Sequence, residues 1–239
     1  MPISWLDKNN YEFPPLECAT ESPNGLLAVG GDLSTGRLLA AYRHGIFPWY
    51  EEDQPLLWWS PDPRLVLIPG RMKVSRSLRR FLRQQTHTVT FDENFPAVIR
   101  ACAGTRKNAD GTWITADMQT AYNELHCLHH AHSVEVWRED ELVGGLYGVA
   151  IGQMFFGESM FSHEPNASKL GLLVLSRQLQ DWGFQMIDCQ VITQHLVSLG
   201  AVAISRLDFS RQLRNYVAMP DRPGPWRCEL TIEQLADEL

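Results

Sequence analysis

No run in this sequence approaches the ~20 apolar residues that a bilayer-spanning helix needs. The start, Met1-Pro2-Ile3-Ser4-Trp5-Leu6-Asp7, lacks the basic segment and apolar core of a secretory signal. Cysteine is sparse: Cys18, Cys102, Cys127, Cys189 and Cys228 are odd in number, scattered, and form no C-x-x-C pair. That pattern disfavours a disulfide framework, so buried, reduced thiols in a cytoplasmic protein with no membrane partner are expected. Internal repeats and low-complexity tracts are also absent. Ser159 has no G-x-S-x-G elbow around it, which argues against a serine hydrolase. A metal site is not expected either. His126, His129, His130 and His132 surround Cys127, but Leu125 and Leu128 take that helix's core face, and no second ligand pair follows at a zinc-like spacing.

What is present is an ordinary globular composition, 44% apolar and 21% charged over 239 residues, enough for a large domain plus a smaller module. Residues 1–64 are rich in turn formers: Pro14-Pro15, Pro23-Asn24-Gly25, Gly30-Gly31-Asp32 and Trp58-Trp59-Ser60-Pro61-Asp62-Pro63-Arg64. They read as a small, loop-rich N-terminal domain with one helix, started by Ser34-Thr35 and carrying Leu38, Leu39 and Tyr42. From 65 to 239 helical and strand patterns alternate. Helices are predicted over 75–85, 95–102, 170–182 and 194–199, with a further one capped by Thr115 and striped by Met118, Tyr122, Leu125 and Leu128. Strands are predicted over 87–91, 133–138, 142–150, 153–156 and 185–191. The order α, β, α, α, β-β-β, α, β, α predicts an α/β fold on a mixed sheet of the α+β kind.

Three features carry candidate chemistry. Arg76, Arg79, Arg80 and Arg83 fall at i, i+3, i+4 and i+7, one helical face with no acid to neutralise it, and Arg71 and Lys73 extend it. Such a face is either a solvated surface or, on a chain whose net charge is −7, a local patch for a phosphate backbone. Aromatic residues cluster near turns, namely Tyr42, Trp49, Trp58, Trp59 and Trp113; each belongs either in a core or stacked on a nucleobase. Glu158, Asp188 and Gln190 interrupt apolar strands, where an unpaired carboxylate is costly. Asp188 and Gln190, two apart on a strand, are expected on one face, as a structural pair or as a carboxylate that orients a substrate-holding amide.

The three occur together with a series of ordered motifs. These include Gly30-Gly31-Asp32-Leu33, Gly45-Ile46-Phe47-Pro48-Trp49, Trp58-Trp59-Ser60-Pro61-Asp62-Pro63-Arg64 and Gly111-Thr112-Trp113-Ile114-Thr115. They continue with His132-Ser133-Val134-Glu135-Val136-Trp137, Phe156-Gly157-Glu158-Ser159-Met160-Phe161-Ser162 and Asp188-Cys189-Gln190. From about Pro23 to Ala201 the sequence resembles the leucyl/phenylalanyl-tRNA–protein transferase family; Asn108-Ala109-Asp110 and the tail after Ser205 match none of its motifs. The resemblance implies an acetyltransferase-like (GNAT) C-terminal domain. It also implies transfer of leucine, phenylalanine or, less well, methionine from aminoacyl-tRNA to proteins with N-terminal arginine or lysine, marking them for N-end rule degradation. By the same resemblance Tyr42, Trp49 and Trp113 hold the terminal adenosine. Leu146, Phe155, Gly157, Met160, Leu172 and Ile187 line the Leu/Phe side-chain pocket. Glu158, Asp188 and Gln190 surround the reacting groups as catalytic residues, and Arg76, Arg79, Arg80 and Arg83 meet the tRNA. No cofactor is implied, and a monomer is expected. The rivals are an acyl-CoA-dependent N-acetyltransferase, for which Asn166-Ala167-Ser168-Lys169-Leu170-Gly171 lacks a glycine-rich pyrophosphate loop, and a non-catalytic tRNA-binding module, which leaves the three polar residues unexplained.

Overall fold

A computed structural model describes residues 3–107 and 113–238. The segment 108–112, with Gly111 and Thr112 of one family motif, lies outside the described residues. The first part of the chain folds as β1 (Ser4–Leu6), a 3-10 turn (Leu16–Cys18), β2 (Leu26–Gly30), α1 (Thr35–Arg43), β3 (Phe47–Pro48) and β4 (Leu57–Trp59). Its strands form a small sheet in the order β1-β2-β4-β3. Ser34 takes the cap position of α1, but its hydroxyl turns to Asp32 rather than to the helix.

The larger sheet begins with β5 (Arg64–Leu67) and continues after α2 (Arg76–Leu82) with β6 (Thr88–Phe91). Then come α3 (Phe95–Lys107), α4 (Ala116–Cys127), β7 (Ala131–Arg138), β8 (Glu141–Ile151) and β9 (Met154–Ser162). The chain closes with α5 (Ala167–Asp181), β10 (Met186–Gln190), α6 (Gln194–Ser198), β11 (Val202–Ile204), α7 (Arg206–Tyr216) and α8 (Ile232–Glu238). The seven strands run in the order β11-β5-β10-β9-β8-β7-β6, all neighbours antiparallel except the parallel pair β9 and β10. This is a mixed α/β architecture. The crossover that makes β10 parallel is α5, whose apolar side packs on the sheet and which stops at Gly183, in the left-handed conformation (φ +82°) that favours glycine after a helix.

Several predicted boundaries move. Helix α4 stops at Cys127, so Leu128 falls outside the apolar stripe and is 51% exposed, while Met118, Tyr122 and Leu125 are buried. Helix α3 runs five residues beyond its predicted end at 102, and β9 extends through the polar Gly157-Glu158-Ser159 to Ser162, because β8 pairs with it along that length. One apolar core joins the two sheets: Leu27, Tyr42, Phe47 and Trp58 pack with Phe95, Tyr122, Tyr147 and Phe156. No helix among the described residues is long and apolar enough to cross a membrane.

Candidate active site

A cavity of about 310 Å³ opens where β9 and β10 part. Their ladder pairs Met186 with Met154, Ile187 with Phe155 and Asp188 with Phe156, and ends there. Beyond it Gln190 pairs with Leu65 of β5 across a bulge, so β10 turns from β9. The gap is walled by apolar side chains from four elements: Leu146 (β8), Phe155 and Met160 (β9), Leu172 (α5) and Ile187 (β10), with Gly157 leaving its own share of the wall open. Trp49, 41% exposed, and the half-buried Trp113 stand at the mouth. Thr193, His195 and Leu196 close the remaining side.

The polar floor is built on Arg64 and Asp188, both buried. Arg64 Nε and Nη2 donate to the two carboxylate oxygens of Asp188 at 2.8 and 2.7 Å, and Nη1 donates to the carbonyl of Gly45 at 3.0 Å. The guanidinium lies between the rings of Phe47 and Phe209, 4.8 and 4.6 Å from their centroids. This fork geometry suits arginine alone, and a charge pair taken fully out of water needs every such contact. Asp188 Oδ1 also accepts the backbone N–H of Gln190 at 2.9 Å. Gln190 is left-handed (φ +62°), a conformation costly without glycine and held here by that bond. The expectation that Asp188 and Gln190 share a face therefore fails at the bulge. Asp188 is 0% exposed and off the cavity wall, and it fixes the backbone of Gln190 rather than its amide.

The amide is held by Glu158. Gln190 Nε2 donates to Glu158 Oε1 at 2.7 Å, and the same carboxyl meets the hydroxyls of Tyr42 at 2.8 Å and Tyr122 at 3.0 Å. The two hydroxyls also bond to each other. Burial pushes the Glu158 carboxyl up to about 7, against the pull of Tyr42, Tyr122 and Gln190. Burial likewise holds both phenols well above their usual range. Tyr42 thus sits apart from Trp49 and Trp113: it is buried beneath the cavity and touches Glu158, with no open face for a base to stack on.

The arginine face occupies α2, which Ser75 caps through the N–H of Leu78. Arg76, Arg79, Arg80 and Arg83 are exposed, and among the described residues none takes part in an ion pair that shields it. Arg76 and Arg80 line a second cavity, of about 360 Å³, with Ser77, Phe81, Gln84 and Asn166. Asn166 precedes α5, and Leu172 on that helix lines the first cavity six residues on, roughly 9 Å of helical rise away.

A family model described as leucyl/phenylalanyl-tRNA protein transferase matches residues 66–214, and one for the N-terminal domain of that family matches residues 31–62. The chain belongs to the leucyl/phenylalanyl-tRNA–protein transferase family. A protein of that name from Pseudomonas fluorescens (strain SBW25) is 60% identical over 224 residues, covering 94% of this chain and 99% of its own. Another, from Azotobacter vinelandii (strain DJ), is 61% identical over 218 residues, covering 91% and 96%. Among solved structures, an aminoglycoside acetyltransferase from a soil metagenome covers 61% of this chain and 97% of its own at 12% identity, with a TM-score of 0.36, too low to carry an argument.

Two residues of this transferase escape a reading of the sequence. Arg64 stands at the end of a tryptophan- and proline-rich motif, and its partner Asp188 is 124 positions away. Tyr122 is one more member of an apolar helical stripe, and nothing in the pattern sets its hydroxyl apart from a core tyrosine.

Proposed function

We propose that this enzyme moves leucine, phenylalanine and, less well, methionine from aminoacyl-tRNA to the α-amine of proteins that begin with arginine or lysine, marking them for N-end rule degradation. The observation that carries the reading is a small apolar cavity with two tryptophans at its mouth and an oriented amide on its floor. About 310 Å³ is at the lower end for small-molecule sites, a size that suits one aminoacyl side chain better than a whole nucleotide. Leu146, Phe155, Met160, Leu172 and Ile187 take that side chain, with Gly157 beside it. Trp49 and Trp113 hold the terminal adenosine outside, and Arg76, Arg79, Arg80 and Arg83 neutralise backbone phosphates. An apolar pocket of this kind discriminates modestly among aliphatic side chains, and it excludes β-branched ones by shape.

The aminoacyl ester is already activated, so no metal or cofactor is required. The α-amine of the acceptor attacks the ester carbonyl carbon, the new C–N bond forms as the ester C–O bond breaks, and the proton shed by nitrogen ends on the released ribose oxygen. An α-amine with a pKa of about 7.7–8.0 is roughly one-tenth neutral at pH 7, so a strong base is unnecessary. Gln190 cannot take that proton; its part is to accept a hydrogen bond from the amine and aim it. Asp188 acts on the Gln190 backbone, and Arg64 holds Asp188. We further propose that residues 65–239 form an acetyltransferase-like domain behind a smaller one at 1–64; the parallel, parting strands β9 and β10 on either side of α5 support it. The enzyme acts as a cytoplasmic monomer in this reading.

The test is transfer of labelled leucine from leucyl-tRNA to a peptide with N-terminal arginine, beside the same peptide starting with alanine. Product with the first peptide alone is expected. No product with either, or acetylation of the peptide from acetyl-CoA, overturns the reading.

A further inference from the structure

The hydrogen bonds around Glu158 allow its protons to be counted. Four contacts converge there: Gln190 Nε2 with Oε1, Tyr42 hydroxyl with Oε1, Tyr122 hydroxyl with Oε2, and the two hydroxyls with each other. Each needs one proton. The amide supplies one and each phenol one, which makes three. An ionised Glu158 therefore leaves one pair of oxygens in contact with no proton between them, in a buried place where such a pair is repulsive. A neutral Glu158 supplies the fourth. Its Oε2–H donates to Tyr122, Tyr122 donates to Tyr42, Tyr42 donates to Oε1, and Oε1 takes its second bond from Gln190 Nε2.

We propose that Glu158 is held as a carboxylic acid that closes a four-proton network with Tyr122, Tyr42 and Gln190, and that Tyr42 and Tyr122 are positioning residues that aim Gln190 through it. The same count settles the sense of the amide. Were Gln190 turned about so that its oxygen faced Glu158, only three protons would again serve four contacts. With Nε2 bound below, the carbonyl oxygen of Gln190 is directed to the cavity, where an acceptor amine needs a hydrogen-bond acceptor. That last step rests on the transfer reading given above; the proton count does not.

The neighbouring charges agree. Asp188 on β10 opposes ionisation of Glu158, and its own charge is met by Arg64 on β5. Tyr42 on α1, Tyr122 on α4 and Tyr147 on β8 are phenols, and burial raises the first two far enough that they keep their protons. Cys189 and Gln190 complete β10, and His195 lines the far side of the cavity. No cation in this set pairs with Glu158 directly, and its upward shift to about 7 is the one that burial without a counter-charge brings.

The test is the titration of Glu158 in enzyme carrying 13C at its glutamate carboxyl carbons, with Glu158→Gln assigning the resonance. A neutral carboxyl at about pH 6 is expected, where an unperturbed glutamate, with a pKa of about 4.3, is almost fully ionised. An ionised Glu158 at that pH overturns the proposal. The measurement needs no tRNA, so an enzyme that fails to transfer leucine sinks the transfer reading and leaves the proton count to be judged alone. For the positioning role, Tyr122→Phe is expected to lower kcat about tenfold with KM for the acceptor peptide nearly unchanged, and to shift the Glu158 midpoint downward, because the proton on Oε2 loses its acceptor while the two contacts left to the anion are filled by Tyr42 and Gln190. Unchanged kcat and midpoint overturn that role. Should Tyr122→Phe not fold, Tyr42→Phe gives the same two readouts.

Discussion

At the scale of single residues, the site is held by a buried ion pair, Arg64 with Asp188, that lies off the cavity wall. Asp188 accepts three hydrogen bonds, two from Arg64 and one from the Gln190 backbone, and shows no surface to the cavity. Removing one partner strands the other in a place without water. Arg64→Met is therefore expected to cost about 3–5 kcal/mol in urea unfolding, and adding Asp188→Asn is expected to recover part of it, since the stranded charge goes. Asp188→Ala removes the acceptor that holds Gln190 left-handed, and a misplacement near 1 Å is enough for a loss of order 10²-fold in turnover. Affinity for tRNA, measured by filter binding, is expected to stay within about twofold, because the arginine face is untouched. Glu158, Asp188 and Gln190 were legible in the sequence because polar residues inside apolar strands demand partners. What those partners are was not. Arg64 and Tyr122 join the site only through chain reversals of 124 and 36 positions, and no local pattern encodes them.

At the scale of elements, periodicity located most of the helices and strands of the larger sheet, and failed where pairing overrides pattern. Strand β9 breaks its own alternation at Gly157-Glu158-Ser159, yet β8 pairs with it through Ser162, so Glu158 sits within a strand predicted to end at 156. The bulge at Gln190 is likewise invisible to a period-two reading, which put Asp188 and Gln190 on one face. The arginine face was fully legible, since four like charges at helical spacing need no tertiary information to align. In α2 all four remain exposed. If they meet phosphates, Arg76→Ala with Arg80→Ala is expected to weaken tRNA binding and to reduce the slope of log affinity against log salt by roughly 1.4–1.8, two contacts' worth. An unchanged slope contradicts a phosphate role for this face.

At the scale of the whole molecule, the two sheets share one core, and the tail after Ser205, which the family model follows as far as residue 214, is built into the fold. Trp226 is buried, stacks on His132 at 3.7 Å, and donates its backbone N–H to Asp92 at 2.7 Å, while Asp92 also receives His132 at 2.7 Å. The sequence pointed to neither Asp92 nor Trp226, because the contact spans 134 positions. Stability also depends on pH through Glu158. Its carboxyl is raised in the folded chain from 4.5 to about 7, so between those values the folded state binds the extra proton. Stability from this group is then present below about 4.5 and falls as pH rises to about 7, by about 3 kcal/mol for a group this deeply buried. Glu158→Gln cannot ionise, so its unfolding free energy minus that of the parent is expected to climb by that amount across the window in urea melts. A flat difference contradicts the shift.

The proposed transfer depends on what fills the cavity between β9 and β10. The most direct measurement is a crystal structure of the enzyme with phenylalanyl-adenosine joined through a stable 3′-amide. The phenyl ring is expected among Leu146, Met160, Leu172 and Ile187, the adenine against Trp49 and Trp113, and the carbonyl carbon within reach of an amine bound to Gln190. Adenine in the apolar cavity, or the analogue bound elsewhere with the cavity empty, would contradict it.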